Sequence, residues 1–90
     1  MPRYLVERTY TVDMDELPTV ATRSKAIVHH RYPEIVWEHS HVVVGTDGTP
    51  KSFCVYEAPT PEAIRRTAAR NDLPVDVITQ VRVLDPYFYD

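Results

Sequence analysis

A hairpin at the middle of the chain constrains the fold more than any other feature. Residues 36–44 are β-branched, aromatic and polar, with neither Gly nor Pro among them, and read as a strand. The segment Gly45, Thr46, Asp47, Gly48, Thr49 follows, and Asp47-Gly48 is a strong two-residue hairpin signal. Residues 51–58 return as a second strand, with Phe53 and Val55 on one face and Cys54 and Tyr56 on the other. Two antiparallel strands alone are barely stable in water, so the flanking segments must cover or extend them.

Those flanks repeat one pattern. Residues 3–10 read as a first strand, with Leu5, Glu7 and Thr9 on one face and Tyr4, Val6, Arg8 and Tyr10 on the other. The acidic turn Asp13, Met14, Asp15, Glu16 favours a helix start, and Pro18 suits its first turn. Leu17, Val20, Ala21, Ser24, Ile27 and Val28 then recur at helical spacing until Tyr32-Pro33. Thr60 and Pro61 open a second helix through Ala63, Ile64, Thr67 and Ala68, ending near Asn71-Asp72. Residues 77–84 read as a last strand with Val77, Val81 and Val83 as its apolar face, followed by an aromatic tail, Tyr87, Phe88 and Tyr89.

The order strand, helix, strand, strand, helix, strand is the split βαβ plan. It predicts an α+β, ferredoxin-like βαββαβ fold over residues 1–90 as one domain, a four-stranded antiparallel sheet with both helices on one face. The first and third strands take the centre, and right-handed crossovers leave little topological freedom.

Composition limits the function classes. A net charge of −3 argues against a polyanionic partner, so no nucleic acid is expected. RNA-recognition motifs share this strand order, but their third strand carries glycine and same-face aromatics, and here Phe53 and Tyr56 point oppositely. No apolar run approaches the roughly 20 residues that cross a bilayer, so no membrane is expected. One cysteine, Cys54, and no secretory signal at the amino terminus fit a cytoplasmic protein.

Strict alternation along residues 36–44 puts Trp37, His39, His41 and Val43 on one face. Two imidazoles two residues apart are the compact metal-ligand spacing of this chain. With Phe53, Val55, Val81 and Val83 under the helices, Cys54, Tyr56, Gln80 and Arg82 join the histidines on the open face. With Tyr4 and Val6 under the helices, Glu7 joins them too. Imidazole, thiolate and carboxylate together suit a transition metal such as nickel, zinc or copper. The candidate ligands are therefore His39, His41, Glu7 and Cys54, with Arg82 as a second-layer partner of Glu7.

Structural readings stand beside each of these. A His-x-His on an open strand face is commonly solvated surface, and Cys54 serves equally as a small buried hydrophobe. His29-His30 at a helix C-terminus complements the dipole, and Arg65, Arg66 and Arg70 read as a solvated helix face. Glu7 with Arg82 is equally a cross-strand ion pair. Trp37, Tyr56 and Val43 on an uncovered face, and the aromatic tail, predict a two-fold homodimer. An enzyme of the dimeric α/β-barrel type is the alternative, with Tyr56, Trp37 and a histidine lining a substrate pocket between sheet and helices.

Residues 53–65 from Phe53 to Arg65, with Val81-Arg82-Val83-Leu84-Asp85-Pro86, Tyr4-Leu5-Val6-Glu7-Arg8 and Trp37-Glu38-His39-Ser40, resemble the signature blocks of a small bacterial family. Long catalogued as a domain of unknown function, its members resemble nickel-responsive, nickel-binding proteins with a dimeric ferredoxin-like fold. The resemblance spans most of the chain and is weakest over residues 11–32. It implies nickel as the leading metal and a role in metal handling or sensing. It carries over His39, Glu7 and Cys54 by position in matching blocks. At His41 the family usually has an aromatic residue, so His41 rests on its strand position alone.

Overall fold

The computed structural model describes residues 1–45 and 48–88; of residues 29–31 and 88 it describes the backbone only. Strand β1 spans Arg3–Thr9, helix α1 Leu17–Arg31, β2 Val36–Val44, β3 Pro50–Glu57, α2 Pro61–Asn71 and β4 Val77–Val81. Short 3-10 turns at Met14–Glu16 and Pro86–Phe88 precede α1 and follow β4. The four strands form one antiparallel sheet in the order β2-β3-β1-β4, with β1 and β3 central. This is the ferredoxin-like α+β fold that the element order predicts.

Local chemistry explains most boundaries. Pro18 and Pro61 sit in the first turns of α1 and α2, where a missing N–H leaves no bond unmade. The Thr60 hydroxyl accepts from the Ala63 amide at 3.2 Å and caps α2. Asp72 ends that helix in the left-handed region, φ 55, with its N–H returned to Ala69 O. In the hairpin, Gly45 N–H donates to Thr49 O at 3.0 Å and Gly48 adopts φ 83, a conformation that favours glycine. Thr46 and Asp47 of the predicted turn lie outside the described residues, as do Tyr89 and the side chains of His29 and His30.

β4 ends at Val81 rather than Leu84. The reason is its partner: Val81 sits opposite Arg3, the first residue of β1, and Arg82 onward has no strand to pair with. Val83, Leu84 and Tyr87 consequently stand 55%, 77% and 88% exposed.

The core lies between the sheet and the two helices. Tyr4, Val6, Cys54 and Tyr56 meet Val28, Ala63 and Ile64 there, with Trp37 and Ile78 packed at the margin. Cross-strand partners share a face, so the pairs Tyr4–Tyr56, Val6–Cys54 and Arg8–Ser52 define the helix-covered side. The pairs Leu5–Val55 and Glu7–Phe53 define the open side. This corrects the phase expected for β3 and β4. Cys54 and Tyr56 lie under the helices, and Phe53, Val55, Val77 and Val81 lie on the open face.

Candidate functional site

β2 carries an irregularity that decides the site. Trp37 pairs with Tyr56 and His39 with Val55, so two steps along β2 match one step along β3, and Glu38 is the extra residue of a bulge. Trp37 thus turns under the helices with Tyr56, whose ring it stacks on at 6.5 Å between centroids and 25° between planes. Its indole N–H donates to Ser40 Oγ at 2.8 Å on the same side. Trp37 therefore does not share the face of His39, as strict alternation had it. His39 and His41 keep the open face, exposed, with ring centroids 5.3 Å apart in an edge-on arrangement.

The other candidates are placed differently from expectation. Cys54 is buried on the opposite side of the sheet, its Sγ 3.3 Å from Ser52 Oγ, and does not approach the imidazoles. Glu7 does reach the open face, in the rung His41–Phe53–Glu7–Val77. Two strand spacings, about 9–10 Å, separate its backbone from that of His41, and Phe53 stands between them. Its carboxylate pairs instead with Lys51 at 3.6 Å, and Lys51 Nζ also lies 5.3 Å from the Phe53 ring centroid.

Arg82 does not meet Glu7. It follows Val81, whereas Glu7 is opposite Val77, about 13 Å back along the strand. The aromatic patch predicted from Trp37 and Tyr56 is likewise absent from the open face; Leu5, Phe53 and Val55 occupy it. Among the described residues, no three His, Cys, Asp or Glu side chains gather into a group able to hold a metal ion. One chain thus offers two neighbouring imidazoles, a donor pair that suits nickel but leaves most of a coordination shell open.

Beneath the sheet lies a second feature that alternation did not expose. Arg8, in phase with Tyr4 and Val6, is 2% exposed. Its Nη1 donates to Pro74 O at 2.7 Å and its Nη2 to Tyr56 Oη at 3.4 Å. Tyr10 Oη and Ser52 Oγ are 2.9 Å apart alongside. A cavity of about 70 Å³ opens between these groups, Trp37 and α1. Trp37 and Tyr56 do line it, as the enzyme alternative expected, but neither His39 nor His41 does.

Burial pushes the Tyr10 and Tyr56 phenols above their ordinary 10.0, with Ser52 and Arg8 only partly opposing it. The native state then keeps these protons to higher pH than the unfolded chain does. Their contribution to stability is complete below the unfolded value and is lost as pH rises through the raised native values. The urea midpoint is therefore expected to hold level up to about pH 10 and to fall above it, less steeply in Tyr56→Phe.

The fold and the exposed imidazole pair define a ferredoxin-like α+β protein with borderline metal donors on its uncovered sheet face. The chain belongs to the SCO4226-like family of nickel-responsive proteins, whose pattern it matches over residues 4–81. Among proteins of curated function, none matches it. The crystal structure of SCO4226 from Streptomyces coelicolor A3(2) is similar at TM-score 0.72 and 18% identity, covering 92% of this chain and 99% of that one. The C-terminal domain of MgtC from Mycobacterium tuberculosis is similar at TM-score 0.61 and 12% identity, over 90% and 86% of the two chains. The de novo designed protein Foldit4 matches at TM-score 0.60 and 11% identity, over 93% and 100%. At such identities the likeness is one of fold, and a designed protein among the matches illustrates that this fold does not fix a function.

Proposed function

We propose that this protein binds nickel through His39 and His41 and handles or senses the metal as a two-fold homodimer in the cytoplasm. One observation carries the reading: two exposed imidazoles 5.3 Å apart on an uncovered sheet face, in a chain of a nickel-responsive family. Ligand softness alone admits zinc and copper as well, and family membership favours nickel. A bound ion would add positive charge to the open face of β2 and fix both rings, a change that a partner or effector can read. The remaining donors come from water, from Glu7 once released by Lys51, or from the second copy.

Two features support the dimer. Leu5, Phe53, Val77 and Val81 give the open face accessible apolar side chains around the already buried Val55, and Val77 is 45% exposed. Strand β2 is a nine-residue edge with Val42, Val43 and Val44 each about half exposed, the kind of edge that invites pairing. An isologous contact through the open face covers its apolar side chains, leaves the helix side of β2 free, and places two histidine pairs in one assembly.

Sedimentation of the full chain tests the assembly. Wild type is expected to sediment at twice its 10.4 kDa, and Phe53→Glu, which puts a carboxylate in the middle of the face, is expected to sediment as a monomer with weaker nickel uptake. A monomeric wild type that takes up no nickel would overturn the proposal.

A further inference from the structure

We propose that the cavity between α1 and the sheet is a binding site for a small carboxylate with a short apolar tail, and that Arg8 is its countercharge. The site lies on the opposite face of the sheet from His39 and His41 and is independent of the nickel reading.

The sequence itself forces a cation into this layer. Arg8 continues the buried phase of Tyr4 and Val6 on a central strand, and its partner across the sheet is the buried Ser52. The guanidinium is left among neutral groups: a backbone carbonyl at Pro74, a phenol oxygen, and the Tyr56 ring, whose centroid is 5.9 Å from Cζ. Among the described residues no carboxylate pairs with it. The Tyr10 and Tyr56 phenols are neutral at neutral pH, and burial only raises them further, so neither supplies the missing charge. A desolvated cation in this position is costly without an anion, and guanidinium matches carboxylate geometry closely.

Arg8 lines a space fit for such an anion. At about 70 Å³ the cavity far exceeds the roughly 10–15 Å³ a single water needs and falls short of the roughly 150 Å³ that holds benzene. Its lining combines the buried polar Arg8 and Ser52 with Tyr10 and the apolar, less buried Val20, Ala21 and Val42. Val42 is 47% exposed and marks the way in. A carboxylate head therefore meets the guanidinium while a short alkyl tail meets α1 and β2. A water-sized recess of about 10 Å³ adjoins Arg8 and is also lined by Asn71, whose buried Oδ1 has no donor. That recess accommodates a water beside the ligand rather than more of the ligand.

Trp37, the sole tryptophan, lines the cavity and reports on it through its indole N–H. The test titrates the full chain with sodium propionate, against sodium chloride at matched ionic strength and against inorganic phosphate, and follows the indole resonance. Propionate is expected to shift it saturably at millimolar concentration, with chloride and phosphate inert. Arg8→Met abolishes the saturation. Ala21→Leu, which fills the cavity and leaves Arg8 in place, is expected to weaken it at least tenfold; it keeps the proposal testable should the arginine variant fail to fold. No saturable shift by tens of millimolar propionate, saturation by phosphate instead, or undiminished saturation in Ala21→Leu would each overturn it.

Discussion

Replacing His39 with alanine is expected to lower nickel affinity by about 100-fold or more, a loss at or beyond the upper end of what removing a mere supporting group costs. His41→Ala is expected to do the same, because the two rings lie 5.3 Å apart and, among the described residues, no third His, Cys, Asp or Glu gathers with them. Titration calorimetry of metal-free wild type and both variants measures this. Cys54→Ser serves as the internal contrast. Its thiol lies on the other side of the sheet, so the variant is expected to bind nickel as wild type does. Two histidine variants that bind like wild type would remove these residues from the site.

The largest expected effect on stability lies at Tyr56. It is 5% exposed near the C-terminal end of the central strand β3, stacked on Trp37 and bonded by Arg8 Nη2. Tyr56→Ala removes a buried ring that the surrounding sheet and helices cannot fully replace, at a cost of about 3–5 kcal/mol. Against a total stability of about 5–15 kcal/mol, much of the fold's margin goes with it. Tyr56→Phe keeps the ring and loses only the hydroxyl, and is expected to cost about 1 kcal/mol. Chemical denaturation with both variants also tests the phase of β3. A tyrosine on the open face, where alternation had placed it, would show a far smaller loss on truncation.

The elements were legible in the sequence because their ends carry chemistry. Pro18, Pro61 and the Thr60 cap marked the helix starts, and Asp47-Gly48 marked the hairpin. Their order left one common topology, which the sheet adopts. The strand faces were less legible, for two physical reasons. β3 is a central strand, and both of its faces are apolar: Cys54 and Tyr56 on one side, Phe53 and Val55 on the other. Hydropathy therefore gives no phase, and only pairing with Tyr4 and Val6 does. In β2 the phase is interrupted by a bulge at Glu38, and nothing in the residue pattern marks it.

Those two facts account for the candidate site as well. His39 and His41 share a face because both lie after the bulge; Trp37 lies before it and parts from them. Cys54 was grouped with the histidines through the phase of β3, and Arg82 with Glu7 through a strand that stops one residue short of it. Arg8 was given no role, because the first strand carries a charge on each face, Glu7 on one and Arg8 on the other, and so has no plain core side. The signal for its role was there: a cation in register with two core residues on a central strand is buried whichever way the helices pack.

The most direct test of the central proposal is the nickel K-edge X-ray absorption spectrum of the loaded full chain. Nickel held by His39 and His41 is expected to show nitrogen and oxygen neighbours with the multiple-scattering pattern of imidazole, and that pattern is expected to diminish in His39→Ala. A sulfur neighbour, which would bring Cys54 or a methionine thioether to the ion in place of this donor set, or a protein that keeps no nickel through desalting, would contradict it.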